Sequence, residues 1–555
     1  MTTGGKIVLT LLVIGIVGVG AWQWRDRLVS KPGTATLTKG AFATTQGGAP
    51  SVSPAEVVET QTEVPALAAP ATYQPKDNTI LVELSEYAGY AGLIAANGGL
   101  EPNENSIFFR KHGFKVKIAL SEEESWSALN SGKMAASATT VDVLAIYGKQ
   151  FQVTVPAQIG FSRGADGVVV RSEIKRINAL KGKVLATAQF TEADFFIRYL
   201  AQEAGLGINM LSGLADKPDP EKLNLVFCTD AFAAGDLFVG DLTGGQGRLA
   251  GCVTWAPKTT EVVKDSGGKA HVLATSVNLL VVADILIVNK GFAQQSPQMV
   301  AGLVNGLLEG NRMVRDNSTA QLDVIAKAFK WDREKAKAEL AKVHLSNLPE
   351  NLAFFSGAID AAGSFGGIYQ SAIYSYGSAL AKDPVDGDRF IDLIHLQALE
   401  QSGVFKDQKI AIAPIRASGA AAVEGDPILS KDIRFLFAPN SANLDLTNTE
   451  NLKNLEVIKK LLQVSPGSTV LLRGHVDNSK VEEFRKTGGE TYVRTMALRS
   501  VELSKNRAGE IKRVLLEKFG LGADRLDIMG RGWEEPVGPD PELNRRVEVH
   551  WFMLE

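Results

Sequence analysis

Cysteine is scarce in this chain, which has only Cys228 and Cys252 among 555 residues. A small disulfide-held domain is excluded, since such domains are dense in cysteine. No cysteine stands directly after the N-terminal apolar run, which argues against lipid attachment there. We predict that Asn224–Cys228 and Ala250–Trp255, both short and apolar, are neighbouring strands of a parallel sheet. A disulfide between the two cysteines is then geometrically feasible in an oxidising compartment, and two buried free thiols are the alternative.

An excess of either charge is also lacking, with 59 Lys and Arg against 62 Asp and Glu and a net charge of -3. A nucleic-acid partner, which needs a basic face, is not indicated. The six histidines show no metal-ligand spacing, and no nucleophile–base pair is evident. We therefore expect no metal, no cofactor and no catalysis. The length indicates two or three folded domains.

The run Ile7–Trp24 contains no charged residue and lies at the short end of what spans a bilayer. Trp22 and Trp24, followed by arginines, are typical of an interfacial belt and favour a retained anchor in residues 1–29. We expect a single-pass membrane anchor, whose orientation the charges on its two sides do not settle. Small residues before Ala21 leave a cleaved signal peptide and a periplasmic protein as the alternative. No carboxylate lies within the run, which argues against a proton-driven stator subunit.

Composition divides the rest of the chain into four parts. Residues 30–78 are rich in Ala, Thr, Pro, Gly and Val and are predicted to be a flexible linker. In residues 79–405, short apolar strands alternate with amphipathic helices, which indicates an α/β fold with mainly parallel sheets. Residues 406–430 contain a low-complexity patch and form a second linker. Residues 431–555 are predicted to be a compact α/β domain.

One helix of this last domain carries a charge on its apolar side. Leu503, Arg507, Ile511 and Leu515 recur at four-residue spacing, which places a guanidinium on the apolar stripe. Arginines seldom occupy such positions unless they are paired or bind an anion. From spacing alone, a structural salt bridge is the competing interpretation.

Four motifs follow one another in this domain: Gly474–Asp477, Leu503–Ala508, Gly530–Trp533 with Pro536, and Asn544–Glu548. In this order, over about Lys431 to Glu555, the sequence resembles the OmpA-like peptidoglycan-binding family. The resemblance implies an α+β sandwich of order βαβαββ that binds the diaminopimelate residue of the peptide stem. It further implies that Asp477 holds the ammonium of that residue and Arg507 its carboxylate, through charge-assisted hydrogen bonds.

The domain departs from the family pattern at two places. Val476 stands where the family has a threonine, which removes a hydroxyl near the site. The segment from Asn478 to Glu502 is longer than the usual linker, and an asparagine that normally contributes there has no clear counterpart. We interpret Asn544 and Arg545 as mainly structural.

In the middle domain, polar and aromatic residues follow several predicted strands. Ligands collect at the carboxyl ends of strands in open α/β sheets, so these residues are expected to line the rim of a site. Taken singly, each has turn formation or core packing as the alternative. The candidates are Tyr87, Tyr90, Thr139, Thr140, Asp166 and Trp255.

Further matches occur in order, at His112–Phe114, Ser127–Gly132, Gly164–Val168, Leu180–Lys183 and Val253–Pro257. From about Thr79 to Asp316 the sequence resembles solute-binding proteins of the nitrate, taurine and sulfonate transport group. The resemblance implies a type II periplasmic-binding fold, with lobes at roughly 79–165 and 170–280 that close over a small solute. Asp142 and Asp166, with Arg163 as the only nearby guanidinium, favour an amine, a neutral polar solute or a peptide fragment over sulfonate or nitrate.

These features predict an envelope protein that tethers a solute-capturing or sensing domain to the inner membrane and to peptidoglycan. Because a wall-binding domain would be useless in the cytosol, we expect a single-pass inner-membrane protein with periplasmic domains. Transporter or envelope-complex subunits are the expected protein partners. The alternative is a structural docking module, or a stator-like subunit of an envelope complex, whose middle domain binds no ligand. An enzyme is a further alternative, because a related fold hosts pyrimidine synthases that consume pyridoxal phosphate.

Overall fold

The computed structural model describes residues 57–552 apart from 122–124, 278, 359–362, 383, 413–426, 434, 436, 438–440 and 466–467. The anchor predicted in residues 1–29 therefore lies outside the described residues. Within the described part of the chain, no helix combines the length and the apolar character needed to cross a membrane.

The strands, in chain order, are β1 (Val57–Val58), β2 (Thr79–Leu84), β3 (Lys115–Leu120), β4 (Ala136–Thr140), β5 (Val153–Ser162), β6 (Asp166–Arg171), β7 (Val184–Ala188), β8 (Ile208–Met210), β9 (Leu223–Cys228), β10 (Gly251–Trp255), β11 (Ala270–Thr275), β12 (Ala283–Asn289), β13 (Val343–Leu345), β14 (Leu429–Ile433), β15 (Thr469–Gly474), β16 (Leu526–Gly530) and β17 (Val547–Phe552).

The α-helices are Ala91–Asn97, Ile107–His112, Trp126–Asn130, Val141–Tyr147, Glu192–Glu203, Ala231–Thr243, Lys258–Asp265, Lys290–Gln295, Pro297–Asp316, Ser318–Phe329, Arg333–Leu340, Leu348–Ser356, Phe365–Leu380, Ile394–Ser402, Thr449–Val464, Val481–Phe519 and Pro541–Asn544. Short 3-10 turns cover Ala88–Tyr90, Gly148–Gln150, Ile177–Leu180, Gly387–Phe390 and Ala523–Arg525.

The middle domain consists of two lobes, each built on one sheet. The first sheet has the order β13-β5-β12-β4-β2-β3, and the second has the order β1-β9-β7-β10-β6-β11 with β8 beside β9. The chain crosses to the second lobe between β5 and β6 and returns between β11 and β12. Two lobes joined by two crossings form a periplasmic-binding-protein-like fold, and the crossings fall where the sequence placed them.

The sheets are mixed, which corrects the expectation of mainly parallel sheets. Strands β2, β3 and β4 pair in parallel, as do β7, β8, β9 and β10. Strands β6 and β12, which follow the two crossings, pair antiparallel with their neighbours. Periodicity predicts a strand but not its direction, and the antiparallel pairs arise because these strands enter each lobe from the other one.

Of the two alternatives for the cysteines, the structure has the second: Cys228 and Cys252 are both free and buried. Strand β7 lies between the two cysteine strands, with Ala188 opposite Cys228 and Ala186 beside Cys252. Two strand spacings separate the cysteines by roughly 9–10 Å, beyond the reach of a disulfide. The prediction of neighbouring strands was wrong because β7 comes earlier in the chain and inserts between them.

The first linker is shorter at its C-terminal side than the predicted residues 30–78. Val57 and Val58 pair with Phe227 and Cys228 of β9, beyond the part of β9 that pairs with β8, and the Thr60 hydroxyl donates to the Leu211 carbonyl at 2.5 Å. Tyr73 is buried and its hydroxyl accepts from the Leu81 amide at 3.1 Å. These contacts hold the segment on both lobes.

The predicted second linker, residues 406–430, also begins on the middle domain. The amides of Ala411 and Ile412 both donate to Oε1 of Glu350 at 2.8 Å. Glu350 is buried, so these hydrogen bonds satisfy a carboxylate that would be costly to leave unpaired. The low-complexity patch that marked this linker lies outside the described residues.

The C-terminal domain has a four-stranded sheet in the order β14-β17-β15-β16. Helices Thr449–Val464 and Val481–Phe519 follow β14 and β15, which agrees with the predicted βαβαββ order. The second helix is broken at Gly488 and Gly489, where Gly489 has a φ of 65°. That left-handed conformation favours glycine, and the break turns the added segment after Asp477 into a separate first helix.

Strand β14 also touches the second lobe of the middle domain. The Ser430 amide donates to Oδ1 of Asn178 at 2.9 Å, and Nδ2 of Asn178 donates to the Ser430 carbonyl at 3.0 Å. The amide of Leu280, in the return crossing between the lobes, donates to the Val464 carbonyl at 2.9 Å. The two domains are therefore hydrogen-bonded at a lobe and at a crossing.

Candidate functional site

Asp477 and Arg507 line one groove of the C-terminal domain, with a volume of about 880 Å³. Asp477 follows β15, and Arg507 lies in the long helix after the glycine break. Gly474 lets these elements approach closely, because a Cβ there would collide with the carbonyl oxygen of Ser504. The structure thus brings together the two residues that the family resemblance singled out.

Arg507 is half-buried at the wall of this C-terminal groove. Its Nε donates to the Ser441 carbonyl at 3.1 Å, and its guanidinium lies 5.1 Å from the ring centre of Phe437. Burial lowers the pKa of Arg507, the charge of Arg545 acts in the same direction, and the charge of Asp477 opposes both. The charge of the Asp477 carboxylate therefore acts on Arg507, but the two side chains form no direct ion pair. A ligand between them could contact both.

A buried ionic cluster supports the floor of the groove. Glu548 lies 3.5 Å from Arg473, pairs with Arg546, and is within 3.0 Å of His550 and 3.5 Å of His475. Burial alone would raise the pKa of the Glu548 carboxyl, but hydrogen bonds with these histidines and Arg546 lower it well below its usual range. The cluster ties β15 to β17, the strands that Asp477 follows and Arg545 precedes.

Asn544 and Arg545 differ in role, although the sequence interpretation treated both as structural. Asn544 is buried, accepts from the Val537 amide at 2.8 Å and donates to the Gly538 carbonyl at 2.9 Å. Arg545 lines the groove, with its Nη1 3.7 Å from Oδ2 of Asp477. Asn544 therefore holds a turn, whereas Arg545 belongs to the groove.

The segment that is longer than the family pattern contributes to the groove as well. Phe484, in the first helical part, lies 6.1 Å from Trp533 and 5.9 Å from Tyr492, measured between ring centres. Phe484 and Trp533 both line the groove. Sequence reasoning did not assign this aromatic wall, although Phe484 and Tyr492 stand out in an otherwise polar stretch.

The second candidate site is a cavity between the lobes of the middle domain, with a volume of about 40 Å³. We refer to it as the interlobe cavity. All six residues proposed from the sequence line it: Tyr87, Tyr90, Thr139, Thr140, Asp166 and Trp255.

Both lobes contribute to the interlobe cavity. The tyrosines follow β2 and the threonines end β4, so both pairs belong to the first lobe. Asp166 begins β6 in the second lobe and pairs directly with Trp255 at the end of β10. The hydroxyls of Ser162 and Ser276 lie 2.6 Å apart and connect the two crossings beside the cavity. Relative movement of the lobes would therefore open or close it.

Asp284 also lines the cavity and was missed by the sequence reasoning. It lies on β12 directly opposite Thr140, and its Oδ1 accepts from the Tyr90 hydroxyl at 3.3 Å. A carboxylate in the apolar run Leu279–Val288 was the available signal, because aspartate is seldom buried without a partner.

Burial perturbs the carboxyls in and behind this cavity. It raises the pKa of Asp166 to about 6 and that of Asp142, behind Thr140, to about 7. It raises the pKa of Asp284 well above its usual value, and the charge of Asp166 adds to that effect. Desolvation favours the neutral form of a carboxyl, so these groups release their protons at a higher pH than an exposed aspartate does.

The fold and the two sites define a solute-binding-type domain joined to a domain with a charged groove. Residues 436–549 match the OmpA family. The C-terminal part of the chain is therefore an OmpA domain, which confirms the resemblance of its motifs.

The middle region is similar to solved solute-binding proteins. The alkanesulfonate-binding protein SsuA from Xanthomonas axonopodis pv. citri is 12% identical, with a TM-score of 0.42, covering 58% of this chain and 100% of that one. The periplasmic nitrate-binding protein NrtA from Synechocystis PCC 6803 is 13% identical, with a TM-score of 0.42, covering 60% and 90%. A ligand-binding component of an ABC-type import system from Staphylococcus aureus is 13% identical, with a TM-score of 0.41, covering 57% and 98%. Identities this low assign no ligand to this chain.

Proposed function

We propose that this chain is a non-catalytic protein of the bacterial cell envelope. Its middle domain captures a small solute while its C-terminal domain binds peptidoglycan. The observation that carries the proposal is the convergence of Asp477 and Arg507 on one groove of an OmpA domain.

The chemistry of the groove suits the zwitterionic end of a diaminopimelate residue. The Asp477 carboxylate accepts from the ammonium, and Arg507 donates to the carboxylate. Only Nε of Arg507 has a hydrogen-bond partner among the described residues, so both terminal amino groups of the guanidinium remain for a planar, two-pronged contact. Charge-assisted hydrogen bonds are worth about 1.5–3 kcal/mol each, enough to make either residue important for binding.

The middle domain suits solute capture because its interlobe cavity carries polar atoms that have no partner in the described part of the chain. They include Oγ1 of Thr139, Oδ1 of Asp166 and Nε1 of Trp255. Buried polar groups are usually hydrogen-bonded, so these atoms favour a bound polar molecule over a spacer that has lost its ligand. Tethering by residues 1–29 would hold this domain between the inner membrane and the wall, for capture or for sensing.

The wall-binding part is tested by co-sedimentation of the full chain with diaminopimelate-type peptidoglycan. Asp477→Asn and Arg507→Ala should each lower the affinity by about tenfold or more. The controls are Asp527→Asn, at an exposed position outside the groove, and Arg513→Ala, on the same helix as Arg507 and paired with Glu510 and Glu517. Equal sedimentation of all four variants and the unchanged chain would remove the proposal.

Solute capture is tested separately by thermal unfolding of the full chain against a broad set of small metabolites. Stabilisation by any of them, lost on Asp166→Asn, supports capture. If none stabilises the protein, the alternative of a docking module without a ligand is favoured. Peptidoglycan binding is measured separately by co-sedimentation and does not depend on this result.

A further inference from the structure

The interlobe cavity is lined by carboxyl groups and by no basic side chain. Glu83, Asp166, Glu192 and Asp284 line it, and no Lys, Arg or His is among its described lining residues. Arg163, which the sequence placed nearby, is not among them either. A bound anion would meet no opposing charge here, whereas a bound cation would meet several acidic groups.

Unpartnered atoms point to a ligand that donates hydrogen bonds. Among the described residues, Oδ1 of Asp166 and Oδ2 of Asp284 have no hydrogen-bond partner, and both side chains are more than nine-tenths buried. They approach the cavity from different lobes, Asp166 at the start of β6 and Asp284 on β12. A small ligand carrying several N–H groups would satisfy both oxygens at once.

The aromatic walls fit the same class of ligand. Tyr87 and Tyr90 meet edge to face with ring centres 5.2 Å apart, and Trp255 of the second lobe also lines the cavity. Aromatic faces attract cations, most strongly where water is excluded. Acidic oxygens and aromatic faces together recognise positive charge.

The size of the cavity limits the ligand. A volume of about 40 Å³ has room for about three water molecules. A volume of this size suits a ligand of a few heavy atoms. Among the described residues, no group of three or more His, Cys, Asp or Glu side chains has the arrangement of a metal site.

We propose that the interlobe cavity binds a compact organic cation of the ammonium or guanidinium type, held by Asp166 and Asp284 between the aromatic walls. This deepens the proposed function and rests on it, since it names the chemical class of the captured solute. It also separates this chain from capture of sulfonate or nitrate.

Binding of such a cation should release protons. Burial raises the pKa of Asp166 and of Asp284, and a bound cation favours their ionised forms. The titratable and charged groups that face them or lie just behind them are Glu83, Tyr87, Tyr90, Asp142, Glu192 and Asp194, the last paired with Arg198 at 2.6 Å. Cation affinity should therefore rise with pH, by up to about tenfold per pH unit for each proton that binding releases.

The test uses three planar ligands of nearly equal size and different charge: guanidinium, urea and nitrate. Methylammonium and magnesium are added, all at millimolar concentration. Calorimetric titration of the full chain should show binding of guanidinium or methylammonium, with proton uptake by the buffer, and no binding of urea, nitrate or magnesium. Asp166→Asn and Asp284→Asn should each lower cation affinity by about tenfold or more. Asp388→Asn, at an exposed position of the same domain, should leave it unchanged.

Both Asn variants keep the shape of the side chain, and their thermal unfolding checks that the fold is intact. The inference is overturned if urea, nitrate or magnesium binds and the cations do not, if no ligand of this series binds, or if cation binding survives both variants in folded protein. The metabolite screen decides whether the middle domain captures any solute, and sedimentation decides whether the C-terminal domain binds the wall. Failure of the cation inference can therefore be distinguished from failure of solute capture or of wall binding.

Discussion

Nη1 of Arg545 lies 3.7 Å from Oδ2 of Asp477, so the carboxylate proposed to take a ligand ammonium already faces a guanidinium. Arg507 lines the same groove, and the charge of Arg545 contributes to lowering its pKa. Two guanidinium groups therefore flank one carboxylate. This arrangement matches a ligand end that carries both a carboxylate and an ammonium.

The two arginines should contribute unequally to binding. The Arg545 side chain is 43% exposed and also pairs with Glu542, so its attraction for a ligand carboxylate is screened by water. We expect Arg545→Ala to weaken binding of a soluble diaminopimelate-containing muropeptide by about twofold to fivefold. Arg507→Ala should weaken it by about tenfold or more. Calorimetric titration measures both; tighter binding by Arg545→Ala would instead mean that Arg545 competes with the ligand for Asp477.

The buried carboxyl of Asp142 should make the folded state less stable as pH rises. Burial raises its pKa from 3.8 to about 7, so the folded state binds this proton more tightly than the unfolded chain does. The resulting stabilisation is fully present below a pH of about 4 and is lost progressively up to a pH of about 7, on the order of a few kcal/mol.

Urea unfolding of the full chain and of Asp142→Asn between pH of about 5 and 7.5 measures this effect. The asparagine variant should lose less stability over the interval than the unchanged chain. Comparing the two chains cancels the contributions of other groups, including Glu548, whose lowered pKa acts at more acidic pH. Parallel pH profiles would contradict the prediction.

The two cysteines should remain thiols even under oxidising conditions. Both are buried, β7 separates them, and burial raises the pKa of Cys228 to about 12. A thiol that stays protonated and covered reacts slowly. A thiol reagent should label neither cysteine quickly in the folded protein and both after unfolding without reductant. If no thiol is found after unfolding, the strand order described here is wrong.

The hydrogen bonds between Asn178 and Ser430 should contribute to the stability of the C-terminal domain. Asn178→Ala removes both of them, and each is worth about 0.5–1.5 kcal/mol. We expect the unfolding transition of the C-terminal domain to fall by a few degrees in scanning calorimetry. Asn105→Ala, at an exposed position of the middle domain, is the matched control. An unchanged transition would indicate that the contact between the domains adds no stability.

The sequence predicted most where the signal was local. Arg507 was recognised because a charge on an apolar stripe needs a partner, and the six cavity candidates because each lies near a predicted strand end. The prediction that the two cysteine strands are neighbours was wrong for the opposite reason. Strand β7 lies between them, and no residue near either cysteine indicates this. Asp284 was not predicted as a cavity residue. Its strand, β12, belongs to the first lobe but follows the strands of the second lobe in the chain, so the sequence does not show that it returns to the site.

The sequence by itself determined the order of the domains, the periodicity of their elements and the motifs of the OmpA domain, because these depend on residues close together in the chain. Only the tertiary structure decided which strands are neighbours, that Arg545 faces Asp477, and that Asp166 and Asp284 meet across two lobes. Such pairings follow from how whole sheets and lobes pack, and burial then sets the charge of the groups that they enclose.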